Sequence, residues 1–311
     1  MFENKDYIIR IAEERSFSKA SKSLNVSQPA LSASVKRLEE RLGAPIFDRK
    51  TKPIELTEVG REYLRIANEI QQKEDAFESY VKRTKGTISG HLKIGGSILF
   101  SSFVLPSLIS EFTAKYPRVS VELVERSSDE LFEMLKHGEL DIVIDNMEAR
   151  DPVYIKHPYT TEMVVLGVPT KYALPNRKAF TGGDIQRGDH LKADAPTVSL
   201  KEFSDCPFIF MNDRNDTGKR AVRLVEAYNM NPKVLFTVSQ QMTSYNLCES
   251  GIGATLCSDT IVKNVPKSSQ VVFYKLDRDD MTRLVSFYER QKSVNDVVVQ
   301  AFIDLVEKES K

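Results

Sequence analysis

Residues 17–43, FSKASKSLNVSQPALSASVKRLEERLG, hold two helices and the turn between them. Ser18 is placed to cap a short helix running to Leu24. Asn25 tolerates the left-handed conformation that ends it. Ser27 caps the next helix, and Pro29 sits in its first turn, where a missing N–H costs nothing. Leu31, Val35, Leu38 and Leu42 form one apolar stripe, and Gly43 stops the helix. At about 100° per residue, Pro29, Ala33, Lys36 and Arg37 point away from that stripe, flanked by Ser32 and Ser34. The outward face is short near its start and basic further along. Such a face lets a helix lie deep in a major groove about 12 Å wide while its cations reach phosphates. A small amphipathic domain with a solvated charged face has the same periodicity. The turn chemistry, the short outward residues and the basic flanks together favour a helix-turn-helix. Upstream, Tyr7, Ile8, Ile11 and Ala12 predict a first helix over about residues 3–14.

Net charge is zero over the chain, but it is unevenly spread. Residues 15–53 carry nine basic side chains against Glu39, Glu40 and Asp48, a local +6. A basic segment on a neutral chain suggests a polyanion-binding module joined to something else. The 311 residues suggest about two domains, large enough to need no disulfide staples. A hydrophobic content of 41% excludes a largely disordered or fibrous chain. No apolar run approaches the roughly 18 residues of a membrane span, and MFENKDYIIR has no signal core, so a cytoplasmic location is expected. Cys206, Cys248 and Cys257 show neither metal spacing nor a disulfide framework.

The stretch 17–49, from FSKASKSLNVSQPALSASV to KRLEERLGAPIFDR, resembles the N-terminal winged helix-turn-helix of LysR-type transcriptional regulators. KPIELTEVGREYL (52–64) resembles their wing and the start of their linker helix. The resemblance implies a DNA-binding domain over 1–58 in which Gln28, Pro29, Ser32 and Ala33 face base edges. Ser27, Ser34, Lys36 and Arg37 belong to the same helix. Arg49, Lys50 and Lys52 belong to the wing and are expected on phosphates, which position a protein without reading sequence. Many members carry Arg where this chain has Ala33, so one guanine reader is missing.

From Leu56, apolar residues recur at Val59, Tyr63, Ile66, Ile70, Phe77 and Tyr80, in steps of three and four, with Lys73 at the one polar position. Glu62, Arg65, Glu69, Gln72 and Asp75 occupy the other face. A helix packed on its own domain also shows an apolar strip, but one this narrow favours pairing of two copies. A dimer also suits a two-fold operator. GTISG (86–90) closes this linker, 59–89.

Residues 91–311 alternate strands and helices, which predicts open parallel sheets with helices on both faces and a ligand crevice beyond the strand C-termini. The expected elements are strands at His91–Gly95, Val119–Glu125 and Leu140–Ile144, and a helix from about Ser102 to Tyr116. A further helix opens on a Ser127–Glu130 capping box and ends at Gly138. Later come CPFIFM (206–211), a helix near 217–229, VLFTV (234–238), a helix near 242–250 and GIGATLC (251–257). The stretches 91–144 and 239–259 also resemble the LysR-type effector domain. That implies a periplasmic-binding-protein-like α/β fold over 90–311 with two subdomains, 90–161 with 270–311 and 162–269, joined by two crossing segments. Residues 175–200 are longer than usual for the family and suggest a polar loop or small insertion.

Candidate effector contacts follow from the strand ends. Gly95, Gly96 and Ser97 precede a helix, where backbone N–H groups favour an anion. Ser97, Ser101 and Ser102 add hydroxyls. Ser128, Asp145, Asn146, Thr217 and Gln240 lie at neighbouring turns, and each alone has a capping or turn role open to it. The family often has a hydroxyl where this chain has Leu99. A small anionic metabolite is the expected ligand. No HExxH, GxSxG or P-loop motif occurs, so neither an enzyme nor a cofactor is expected. The expected protein is a ligand-responsive DNA-binding regulator of dyad-symmetric promoter sites. It is expected as a homodimer assembling to a tetramer, with RNA polymerase a candidate partner. Alternatives are a solute-binding module whose N-terminal helices make protein contacts, and a peroxide sensor based on Cys206 with Cys248 or Cys257.

Overall fold

The computed structural model describes residues 2–48, 51, 53–83, 88–149, 151–213, 216–291 and 297–309. Helices α1 (Lys5–Glu14), α2 (Phe17–Ser23) and α3 (Gln28–Leu42) enclose Ile8, Ile11, Phe17, Ala20, Leu31, Val35 and Leu38. The cap of α2 is Ser16 rather than Ser18. Arg15 ends α1 in the left-handed region at φ 48°, and the chain re-enters a helix at once, with the Ser16 hydroxyl accepting the Lys19 N–H at 3.4 Å. Asn25 has φ 54°, the Ser27 hydroxyl accepts the Ala30 N–H at 3.3 Å, and Gly43 has φ 72°.

Strands β1 (Phe47–Asp48) and β2 (Glu55–Leu56) pair antiparallel, Phe47 opposite Leu56. Glu39 of α3 accepts the Ile46 and Phe47 N–H groups at 2.8 and 3.3 Å, which ties this hairpin to α3. Helix α4 (Glu58–Arg83) follows. Leu56 lies in β2, so the expected apolar seam starts later. Tyr63 leaves the seam as well: it is buried and stacks on Phe2 at 4.7 Å beside Ala67. Val59 and Phe77 are exposed, and Ile66 and Ile70 half-buried. The side chains of Gln72, Asp75 and Tyr80, and residues 86 and 87 of the expected boundary, lie outside the described residues.

The rest of the chain is a two-part α/β unit. Its first part holds β3 (Gly90–Gly96), α5 (Ile98–Phe103), α6 (Leu105–Lys115), β4 (Val119–Glu125), α7 (Ser128–His137) and β5 (Ile142–Asp145). The helix expected over about Ser102 to Tyr116 is α6, and a separate short helix, α5, precedes it. Pro106 in the first turn of α6 lacks the N–H a continuing helix needs, and the break falls at Val104. Strand β6 (Tyr154–Pro169) then crosses to α8 (Gly182–Gln186), β7 (Thr197–Val198), β8 (Phe208–Met211), α9 (Asp216–Ala227), β9 (Val234–Val238), α10 (Gln241–Glu249), β10 (Ala254–Ser258), α11 (Asp259–Asn264) and β11 (Val271–Leu276). Strand β12 (Thr282–Arg290) returns, and α12 (Val297–Glu309) packs on the first part.

The described strands run in the order β4-β3-β5-β12-β6-β10-β8-β9, with β11 also on β6 and β7 on β11. Parallel pairing holds at both ends, but β6 and β12 are antiparallel to each other and to their other neighbours. The expected all-parallel sheets are therefore mixed. The reason is β6: its first stretch, up to Met163, pairs β12, and from Val164 it pairs β10. β11 pairs β6 through Val271–Tyr274 in the second part, so the chain returns at Thr282 rather than at 270. Each part has its own core, the first around Phe100, Phe112, Phe287 and Phe302, the second around Phe208, Leu224, Leu256 and Tyr274, with smaller clusters beside them.

Candidate functional site

Two regions carry the polar chemistry. The first is α3. Its inner side buries Leu31, Val35 and Leu38, while Ser27, Gln28, Pro29, Ala33, Lys36 and Arg37 are exposed and Ser32 is half-exposed. Ser34 departs from the expected outward set. It is buried, and its hydroxyl accepts from the Asn4 side-chain amide at 3.2 Å, so it anchors α1 to α3. The spacing of about 100° per residue left Ser34 on the flank of the outward face, and a small hydroxyl there fits the helix contact. Lys36 is 3.7 Å from Glu40 one turn on, an exposed pair that leaves the ammonium free to exchange partners. Arg49, Lys50 and Lys52 fall outside the described residues.

The second region lies where β6 and β12 pass between the two parts. Arg283 of β12 is buried and donates to Glu162 of β6 at 2.7 Å, to Asp216 of α9 at 2.6 Å and to the Thr217 hydroxyl at 3.3 Å. Arg220 joins Asp216 at 2.6 Å, and the Asn146 side-chain amide donates to Glu162 at 3.3 Å. Burial works against the Arg283 charge, but Glu162 and Asp216 outweigh it and raise its pKa. Burial likewise opposes ionisation of Asp216, and the two guanidiniums win, holding its carboxyl below the ordinary range. Asp145 behaves oppositely. It is wholly buried, and desolvation raises its pKa despite hydrogen bonds from Ser128 at 2.6 Å and from the Met147 N–H at 2.7 Å.

Of the expected effector contacts, hydrogen bonds thus join Ser128 to Asp145, Asn146 to Glu162, and Thr217 to Arg283. The others are not drawn into this network. Ser101 is buried in α5 and donates back to the Gly96 carbonyl at 3.2 Å, so it closes the strand end instead of facing a ligand. Leu99 packs against the cores of both parts. Ser97 is half-buried, and Ser102 and Gln240 are exposed.

The expected turn at Gly95–Ser97 is corrected only for its glycines, since Ser97 does stand at the N-terminus of α5. Gly95 and Gly96 lie inside β3, in register with both β4 and β5. A Cβ on Gly95 would come within 2.6 Å of Leu140 and 2.7 Å of Leu131. These glycines serve close packing. The N-terminus of α7 already holds the Glu130 carboxylate of its capping box, and that of α9 holds Asp216. Glu162, Asp216 and Arg283 are the residues the sequence reading missed. A signal existed: Arg283, Val285 and Phe287 alternate on one face of a strand, which puts an arginine on a buried side.

Three further features bear on function. The three cysteines are buried, and burial raises each thiol, Cys257 to about 12. Among the described residues no group of three or more His, Cys, Asp or Glu side chains is placed to hold a metal ion. Nor, among them, is any helix long and apolar enough to cross a membrane.

Comparison with known proteins agrees with this architecture. Residues 3–61 match the family described as bacterial regulatory helix-turn-helix protein, lysR family, and residues 85–311 match the LysR substrate binding domain. The chain belongs to the LysR family of transcriptional regulators. It is a DNA-binding regulator with a ligand-responsive effector domain. It is similar to the HTH-type transcriptional regulator YcgK of Bacillus subtilis, 27% identical over 304 residues that cover 96% of this chain and 92% of that one. A full-length OxyR variant from Pseudomonas aeruginosa has a similar fold, with TM-score 0.73 at 19% identity, covering 99% of this chain and 94% of the other. So does full-length CbnR in complex with its target DNA, with TM-score 0.61 at 19% identity and coverage of 99% of each chain.

Proposed function

We propose that Gln28, Pro29, Ser32 and Ala33 meet base edges in a major groove while Lys36 and Arg37, with Arg49, Lys50 and Lys52, hold phosphates. The division of α3 into a buried apolar side and an exposed short-then-basic side carries this reading. The functional units are 1–58, 59–89 and 90–311. Two chains pair along α4, where Val59 and Phe77 are exposed, and the pair suits a dyad-symmetric promoter operator. On β9, an edge strand of the sheet, Val234, Leu235 and Phe236 are exposed, which supports further assembly to a tetramer. RNA polymerase is the partner of such a promoter-bound regulator. The protein works in the cytoplasm and is not an enzyme.

The effector is a small polar metabolite that enters between the two parts beside Asn146 and Thr217, within reach of Ser97, Ser102 and Gln240. It acts through different affinities for two arrangements of the parts. DNA affinity measured against salt tests the reading. Release of counterions from six or more phosphates predicts a loss of about a thousandfold or more between roughly 50 and 200 mM salt. A protein that binds no DNA at either salt is instead a solute-binding module.

A further inference from the structure

Residues 175–200 belong neither to the DNA-binding face nor to the crevice network. They pack against β11 and α11 of the second part. Phe180 bridges Phe273 of β11, α8 follows, and a 3-10 turn at Asp189–Leu191 buries His190 completely. The His190 Nε2 lies 2.9 Å from Asp259 Oδ2, and the Lys263 ammonium lies 2.7 Å from the same oxygen. Burial disfavours the Asp259 charge, but His190, Lys263 and a backbone amide outweigh it and keep the carboxyl below its ordinary range. Nε2 therefore donates to a carboxylate.

The backbone amide is that of Met163, which donates to Asp259 Oδ1 at 3.0 Å. Met163 is the residue at which β6 changes partner. It stands opposite Thr282 of β12, and the next residue, Val164, stands opposite Ser258 of β10. A buried amide at such a junction needs an acceptor, and a side chain from α11 supplies it. The preceding residue, Glu162, is held by Arg283 and through it by Asp216. Two consecutive residues of the crossing strand are thus fixed by two separate charged clusters. Of the two groups on Asp259 Oδ2, Lys263 is one-third exposed and His190 is wholly enclosed, so His190 is the rigid support. Behind Asp259, α11 packs on α5 of the first part, where Leu99 and Phe103 join the cluster around Ile261.

We propose that the 175–200 segment is a brace for the interdomain hinge: His190, through Asp259, fixes Met163 where β6 passes between the parts and so sets their resting angle. This rests on the reading that a ligand acts by changing that angle. His190 is a positioning residue that touches no ligand.

Distances within the full-length protein test it. Spin labels are placed at Glu133→Cys in the first part and Lys201→Cys in the second, both exposed, while the native cysteines are buried. Labelled chain is diluted with unlabelled chain, without DNA or effector. The expected result is a single narrow distance distribution that becomes about twofold broader, or gains a second population, in His190→Phe, which keeps a ring but donates nothing. His190→Gln, which restores an N–H near the same place, recovers the narrow distribution. An unchanged distribution in His190→Phe, with only a lower melting temperature, overturns the brace and makes His190 a packing residue. If His190→Phe does not accumulate, His190→Asn, whose side chain is too short to reach Asp259, replaces it. Broadening there supports the brace, and an unchanged distribution overturns it. Failure of the wild-type protein to bind DNA would overturn the regulator reading and leave these distances standing.

Discussion

Arg283 and Glu162 stand opposite each other in the β12–β6 ladder, with guanidinium and carboxylate 2.7 Å apart and both side chains almost wholly enclosed. This pair lies where the two parts of the effector domain meet, and Asp216 of α9 completes it from the second part. Such a site is costly to break from one side. Glu162→Ala leaves a buried guanidinium short of a partner and is expected to lower stability by about 3–5 kcal/mol. Replacing both residues with Met is expected to cost far less, because Asp216 keeps Arg220 and no charge is left wholly without a partner. Urea denaturation of the single and double variants checks this; an equal or larger loss in the double variant would contradict it.

His157 on β6 gives a pH dependence with a defined sign. Its Nε2 lies 2.9 Å from Glu289 and its Nδ1 3.4 Å from Glu307, and the Glu289 hydrogen bond leads in raising its pKa above the ordinary 6.5. A raised folded-state value means the imidazolium is stabilised by folding. That stability is fully present below the unfolded value and is lost as pH rises through the folded one. Thermal stability of the wild type is therefore expected to fall across the window above pH 6.5, and His157→Gln should flatten that part of the profile. A variant with the wild-type slope would assign the slope to another group.

Ser34 and Lys36 separate fold from recognition within one helix. Ser34→Ala removes the bond to Asn4 and should cost about 1 kcal/mol of stability while leaving DNA affinity in place. Lys36→Ala should leave stability within about 0.5 kcal/mol, weaken binding on all sequences and reduce the salt slope by about one. If Lys36→Ala changed preference at a single base pair, it would be a base reader.

The thiols should be silent in the folded protein. With Cys248 and Cys257 buried and their pKa values raised, a thiolate-specific reagent is expected to react slowly with native protein and with all three cysteines after denaturation. Mild peroxide should leave that count unchanged. A loss of titratable thiols after peroxide would revive the redox alternative.

Much of this was legible in the sequence where local chemistry decides structure. Asn25, Gly43 and Gly138 act through their own backbone, Ser27 and the Ser127–Glu130 box through side chains that reach backbone three residues away, and the structure places each in its expected role. What escaped the sequence reading depended on distant partners. Ser34 looked outward until α1 supplied Asn4, and Tyr63 looked like a seam residue until Phe2 stacked on it. The Gly95–Gly96 pair has the spelling of an anion turn, but Leu131 and Leu140 make it a packing feature. The crevice network was hardest to see, since Glu162, Asp216 and Arg283 are separated by up to 121 residues. The pairing of β6 with β12 brings Glu162 to Arg283, and the start of α9 brings Asp216.

The most direct test of the regulator is a genome-wide footprint of the protein on its host DNA, with and without a metabolite extract. The account predicts discrete, dyad-symmetric sites whose protected length or intensity changes when the extract is present. Absence of discrete sites under both conditions would contradict it and leave α3 as a surface for protein contacts.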